Sequence, residues 1–301
     1  MKDLILVEGI SRWHCRTVVL HEVGFRVPRG LLSVISGAPR SGKTSILRAL
    51  LGHEKIDQGQ CLFLDPVLER RDMKQVLRMG LNPPWIFPWV TCMEYLHHLN
   101  HYQKLLDPQA WVKTALGRVG LLAMAHVPFW KLNRVSRVKL WIAAQMVPHS
   151  PLLLMDEPMR GLQPAEREDI WLVLRRLVWE GHSVLVTTPF LEEAEDYGEY
   201  LVLLDRGRVV MEGEFAQLTP QRRVVLDVED VAGTAAALRV LGVDCQIHAG
   251  GCGVTLDLNM DQAQQLLPLL LQAEVQVRDC QPEDLGSLYG RLQLQASMGQ
   301  V

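Results

Sequence analysis

The stretch Leu31-Leu32-Ser33-Val34-Ile35-Ser36-Gly37-Ala38-Pro39-Arg40-Ser41-Gly42-Lys43-Thr44-Ser45-Ile46-Leu47 decides how the chain is read. A β-prone run (31–36) meets a glycine-bounded loop, and a helix is expected to start directly at Thr44. The pattern Gly-x-x-x-x-Gly-Lys-Thr between a strand and a helix is the context a phosphate-binding loop requires. Glycines let the backbone wrap so that several N–H groups converge on an anion. The helix start adds its positive end, Lys43 a mobile cation, and the Thr44 hydroxyl a ligand for Mg2+. Gly37, Ala38, Pro39, Arg40, Ser41, Gly42, Lys43, Thr44 and Ser45 are therefore the candidate nucleotide-binding residues, with ATP as the expected ligand.

A second motif supports the first. Leu152-Leu153-Leu154-Met155-Asp156-Glu157 is a wholly apolar run ending in two acids, as expected of a parallel strand buried on both faces. Asp156 suits a Mg2+ ligand, and Glu157 suits the base that polarises an attacking water. A helix cap or a solvated turn is the plainer use of an Asp-Glu pair at a strand end.

Working outward, short strands are expected at 4–7 and 17–20, broken by Gly9 and by Pro28-Arg29-Gly30. Helices are expected at 111–119, 137–146 and 164–180, with a buried strand at 183–187. Alternating strands and helices argue for an α/β sheet with helices on its faces. The character changes near Pro220-Gln221. Strands at 224–229, 244–248, 254–258 and 275–278, with helices at 232–241 and 262–272 and a last one from Asp284, give a βαββαβ order. That order fits a small ferredoxin-like module, so two domains are expected, 1–220 and 221–301.

The 301 residues are 48% hydrophobic and 22% charged, ordinary for a globular chain. A net charge of −3 and the lack of a basic run give no nucleic-acid surface. The first eight residues carry too much charge for a signal peptide, and no apolar window is long enough to span a membrane. The six cysteines (Cys15, Cys61, Cys92, Cys245, Cys252, Cys280) form no Cys-x-x-Cys pair, so reduced thiols are expected rather than a zinc site. His97, His98 and His101 read as the polar face of a helix.

With these motifs in place, the chain resembles an ATP-binding cassette, the nucleotide-binding subunit of the transporters of that name. The resemblance covers about residues 1–218 and includes Asp205-Arg206-Gly207-Arg208-Val209-Val210-Met211-Glu212-Gly213, similar to the family's late hairpin. It implies a P-loop NTPase cassette with a parallel-sheet core, an antiparallel β subdomain and a helical subdomain, followed by the ferredoxin-like α+β domain. That tail resembles those of some exporter-type cassettes. Trp13 falls near the place where the family stacks a ring on adenine; a Trp buried in the first sheet is the alternative. The family's Mg2+-coupling glutamine aligns with Asn82.

Several family residues are replaced. Leu132-Asn133-Arg134-Val135-Ser136 stands at the Leu-Ser-Gly-Gly-Gln signature without either glycine, and Val135 is expected to crowd the approach that glycine permits. Gln163 replaces an aspartate, Pro189 replaces the switch histidine, and Arg40 stands where a glycine is usual. Proline offers neither an imidazole nor an N–H. Cassettes work as dimers, each site combining one subunit's loop with the other's signature, so a different cassette is the implied second subunit. The apolar stretch Pro83-Pro84-Trp85-Ile86-Phe87-Pro88-Trp89-Val90 matches the region that receives a transmembrane subunit, with an ordinary loop packed on the core as the alternative. The implied location is peripheral, on the cytoplasmic face of the inner or plasma membrane. The implied activity is that of a transport ATPase, the alternative being a regulatory or structural cassette with little hydrolysis of its own.

Overall fold

A computed structural model of the chain describes residues 2–14, 17–69, 77, 79–81, 85–103, 107–146, 150–218, 224–241, 243, 245–247, 253–256, 266, 268–271 and 275–282. The chain divides into two compact units, Met1–Glu214 and Phe215–Val301. The first holds two sheets. The central one has the order Leu152–Met155, Ser183–Thr188, Leu32–Ser36, Tyr200–Asp205, Arg208–Glu214. Its first four strands are parallel and the last pairs antiparallel as a hairpin. Leu32–Ser36, Leu152–Met155 and Ser183–Thr188 are buried at every position. That accounts for the wholly apolar run Leu152–Met155 and the largely apolar other two, whose Ser33, Ser36, Ser183, Thr187 and Thr188 are buried as well, because helices cover both faces of such a sheet.

The second sheet is antiparallel, in the order Thr17–Pro28, Asp3–His14, Gln58–Phe63. Its first two strands are 12 residues each, longer than the expected runs at 4–7 and 17–20. Gly9 does not end its strand. It sits at φ 57 within a stretch where the register shifts, so it bends the strand as a bulge does. The edge strand Gln58–Phe63 adds to the strands the sequence leads one to expect. Its residues are mostly exposed or half-buried and lack an apolar alternation. Both sheets contribute to one core in which Phe25, Ile46, Leu47, Leu154 and Leu185 are buried.

Helices Cys92–Gln103, Pro108–Arg118 and Arg134–Gln145 form the helical part. Two of them are capped by their own sequence. Asp107 accepts from the Ala110 N–H at 3.0 Å ahead of Pro108, and Asn133 accepts from the Ser136 N–H at 2.8 Å. The helix expected at 137–146 thus begins three residues earlier. Helix Pro164–Trp179 follows the Asp156-Glu157 turn and opens with Glu166 accepting from the Gln163 N–H at 2.8 Å.

The second unit contains strands Val224–Val228, Cys245–Ile247, Gly253–Leu256 and Val277–Pro282, with helix Val231–Val240. The sheet order is Cys245–Ile247, Gly253–Leu256, Val224–Val228, Val277–Pro282, antiparallel throughout. This is the ferredoxin-like arrangement, in which the first strand lies between the third and fourth. Val224, Leu226, Val228, Leu238, Val254, Leu256 and Leu270 form its own core. Of the expected helix 262–272, residues 266 and 268–271 are helical. The rest of it, the helix from Asp284, the junction Pro220-Gln221, and Cys15 and Cys252 lie outside the described residues.

Candidate nucleotide-binding site

The loop at 37–44 is held between the late hairpin and the first helix, Lys43–Leu50. Gly37 lies at φ 150, and a Cβ there would stand 2.1 Å from the Leu204 carbonyl oxygen. The turn Arg206-Gly207 braces the loop from the other side. The Gly207 N–H donates to the Ser41 carbonyl at 2.9 Å, and the His21 N–H donates to the Gly207 carbonyl at 2.8 Å. A Cβ on Gly207 would meet the Val19 carbonyl oxygen at 2.2 Å, so glycine is needed for this close approach. Arg40 occupies the left-handed region at φ 68.

Lys43 is only 4% exposed. Its ammonium donates to the carbonyls of Gly37 at 2.7 Å and Ala38 at 3.0 Å and stands 3.8 Å from Glu157 Oε1. Burial lowers its pKa below the ordinary 10.5, while Glu157 and Asp156 pull it back up. A buried cation against two carboxylates is poised for an anion that satisfies it more fully. Among the described residues the buried Ser41 hydroxyl meets no hydrogen-bond partner.

The two acids stand at the end of strand Leu152–Met155 and are fixed by the neighbouring strand. The Thr187 hydroxyl donates to Asp156 Oδ1 at 2.6 Å and accepts from the Glu157 N–H at 2.8 Å. The Asp156 N–H donates to the Gly80 carbonyl at 2.9 Å. Glu157 adopts φ 45, a left-handed conformation that costs a non-glycine residue about 1–2 kcal/mol. In the sequence Thr187 marks only the end of a strand, its hydroxyl following the apolar Val184-Leu185-Val186.

Two adjoining cavities carry these groups. One of about 260 Å³ is lined by Val19, Arg40, Gly42, Lys43, Thr44, Ser45 and Glu157. The other, of about 610 Å³, is lined in part by Thr44, Asp156 and Glu157. Thr44 and Glu157 face both. The hydroxyl of Thr44 and the carboxylate of Asp156 are the oxygen donors that Mg2+ takes. The Thr187 hydrogen bond occupies one Asp156 oxygen and leaves the other for a ligand, so the donor set fits the ion. Among the described residues no cluster of three or more His, Cys, Asp or Glu is assembled. Asn82, the third expected Mg2+ ligand, lies outside the described residues.

Trp13 is the last residue but one of strand Asp3–His14 and is 42% exposed, so it is not a buried sheet residue. Its backbone N–H donates to Asp57 Oδ2 at 2.8 Å. At the signature position Val135 and Ser136 are both buried, so the Val135 methyls turn inward and do not stand as an external obstacle. Arg134 Nη1 donates to the Gly161 carbonyl at 2.8 Å, joining this helix start to the turn before Gln163. Pro189 is half-buried, and the neighbouring Phe190 ring lies 4.2 Å beneath the Arg167 guanidinium. In the aromatic stretch, Ile86 is buried, while Trp85 is 80% and Trp89 69% exposed. Trp85 and Phe87 meet edge-on at 4.7 Å, and Phe87 stacks on Trp89 at 5.2 Å. Pro83 and Pro84 lie outside the described residues. Among the described residues no helix is long and apolar enough to cross a membrane.

Comparison with known proteins agrees with this geometry. The family described as ABC transporter matches residues 20–160. The chain is 30% identical over 262 residues to Nod factor export ATP-binding protein I of Ralstonia nicotianae, covering 84% of this chain and 80% of that protein. It is 26% identical to the glutamine transport ATP-binding protein GlnQ of Escherichia coli, covering 70% and 91% of the two chains. In fold it is similar to cbiO1 of Clostridium perfringens, part of the ABC transporter complex cbiONQ. The TM-score is 0.64 at 21% identity, over 72% of this chain and 91% of that one. The chain belongs to the ABC transporter family, as one of its ATP-binding cassettes.

Proposed function

We propose that the chain is the ATP-binding subunit of an ABC transporter, binding Mg2+·ATP in residues 37–45 and driving a separate transmembrane subunit. The observation that carries this reading is the convergence of Lys43, Thr44 and Glu157 on one cavity, with Thr44, Asp156 and Glu157 on its neighbour. Residues 1–220 form the ATP-binding domain and 221–301 an accessory domain. The relatives named for Nod factor export support an exporter. The exposed pair Trp85 and Trp89 supports docking of the transmembrane subunit on the Pro83–Trp89 stretch, which places the chain peripherally on the cytoplasmic face of the membrane.

In this reading the Gly37–Gly42 backbone and the Lys43 ammonium hold the β- and γ-phosphates, and the Trp13 ring covers the adenine. Thr44 and Asp156, with Asn82, hold the Mg2+, which neutralises phosphate charge when bound. Glu157 orients a water and accepts its proton as the water oxygen bonds to the γ-phosphorus. The bond from that phosphorus to the β–γ bridging oxygen then breaks, and ADP leaves with the bridging oxygen. The ammonium of Lys43 exchanges the carbonyls of Gly37 and Ala38 for phosphate oxygens, gaining charge-assisted bonds of about 1.5–3 kcal/mol each.

Pro189 favours a second reading, in which the chain holds ATP and hydrolyses little of it. Its ring has no donor for the γ-phosphate, and Asn133, Arg134 and Val135 lack the signature glycines. Both features support pairing with a different cassette that supplies an intact signature. Lys43→Ala and Glu157→Gln separate the readings. In the membrane complex, Lys43→Ala is expected to weaken fluorescent-ATP binding about tenfold to a hundredfold. Glu157→Gln is expected to preserve binding and lower hydrolysis about 10²–10⁴-fold. An unchanged hydrolysis rate in Glu157→Gln assigns turnover to the partner; unchanged ATP affinity in Lys43→Ala overturns the site.

A further inference from the structure

We infer that the 610 Å³ cavity beside the phosphate loop is a second oxyanion site, which receives inorganic phosphate after it has been cleaved from the nucleotide. Arg48, Arg137 and Arg160 line it together with Thr44 and the two carboxylates Asp156 and Glu157. These three come from different elements: the first helix, the helix after Asn133, and the turn after Glu157. None of them is required by the nucleotide site described above.

Among the described residues Arg137 has no carboxylate partner and Arg160 only a distant one, whereas Arg48 is held by an acid that an anion would have to displace. Arg48 is paired with Glu54 at 3.3 Å. Arg137 is steadied by a ring and a carbonyl, its guanidinium 4.8 Å from the Phe129 centroid and its Nη2 3.5 Å from the Trp130 carbonyl oxygen. Arg160 is 85% exposed at its side chain and stands 4.0 Å from Glu157 Oε2, the limit of an ion pair. Planar guanidinium forks match tetrahedral oxyanions through paired N–H···O bonds, which makes phosphate the chemistry they recognise.

Position supplies the direction. Thr44 and Glu157 line both cavities, so an anion released between them needs no further passage to reach the arginines. The source of the phosphate rests on the nucleotide reading, which draws on Thr44, Asp156 and Glu157 of the same cavity; the three arginines do not.

The test uses the full, nucleotide-free chain and radiolabelled inorganic phosphate, measured against chloride at equal ionic strength. Saturable binding is expected. Arg137→Ala with Arg160→Ala weakens it by at least about tenfold while leaving fluorescent-ATP affinity unchanged. Lys43→Ala does the reverse, losing ATP and keeping phosphate. Phosphate binding that survives the double arginine change, or that disappears in Lys43→Ala, confines phosphate to the glycine loop and overturns the inference; so does an absence of saturable binding. If wild-type chain binds phosphate in the expected pattern but not ATP, the nucleotide reading fails and the arginine site stands. Should the double variant unfold, Arg160→Ala alone, at an exposed position, carries the same comparison.

Discussion

Thr187 shows how much one hydroxyl decides at the site. It donates to Asp156 and accepts from the Glu157 backbone, so it fixes both acids from the adjacent strand. Thr187→Val keeps the shape and removes both bonds, leaving an Asp156 oxygen and a Glu157 N–H unsatisfied at a part-buried position. The expected cost is about 1–3 kcal/mol in a urea or thermal unfolding measurement, with weaker Mg2+-dependent binding of ATP. A variant as stable as the wild type would show that water replaces the hydroxyl. The glycines make the same point in reverse. Gly37 and Gly207 admit backbone carbonyls at distances that a Cβ forbids, a reason the one-dimensional pattern contains only for Gly37.

Among the elements, the helix Arg134–Gln145 has the clearest local cause. Asn133, the second residue of the stretch aligned with the signature, is its N-cap. Asn133→Ala is expected to cost about 1 kcal/mol of stability and to leave ATP affinity of the isolated chain alone. Calorimetry and ATP titration together check this. The end of helix Pro164–Trp179 carries a pH dependence. Arg118 Nη1 donates to His182 Nε2 at 3.1 Å, and Arg118 Nε pairs with Glu180 at 3.0 Å. Burial, and then the Arg118 charge, hold His182 below its ordinary 6.5. The folded chain therefore binds fewer protons here than the unfolded chain as pH falls below 6.5. Stability is level above that value and declines through the window beneath it. His182→Gln is expected to flatten that decline in melting temperatures taken between pH 7 and pH 5; an unaltered slope places the acid sensitivity elsewhere.

For the whole molecule, Trp85, Phe87 and Trp89 form an exposed aromatic ridge beside the buried Ile86. Solvent contact on rings of this size is unfavourable and is relieved by docking against apolar surface. Trp85→Ala with Trp89→Ala is expected to leave the melting temperature of the isolated chain nearly unchanged. Recovery of the complex with its transmembrane subunit should fall at least about tenfold, since truncated aromatic anchors cost about 2 kcal/mol or more. Affinity purification of the complex from membranes measures this directly; full recovery removes the docking role.

Wherever local chemistry is strong, the sequence alone determined the outcome. The loop at 37–44, the apolar strands ending at Ser36, Met155 and Thr188, and the antiparallel order of the second unit's strands follow from turn residues, burial and periodicity along the chain. Periodicity left other elements obscure. The edge strand Gln58–Phe63 is too exposed to carry an alternation, and Gly9 bends its strand where a break was expected. Tertiary structure alone decided which distant groups meet. Thr187 reaches Asp156 because Ser183–Thr188 pairs in parallel with Leu152–Met155. Arg137 and Arg160 share a cavity because the helix after Asn133 is tied to the Gly161 turn. These are contacts between segments far apart in sequence, fixed by packing of the sheet and helices, and no local pattern encodes them.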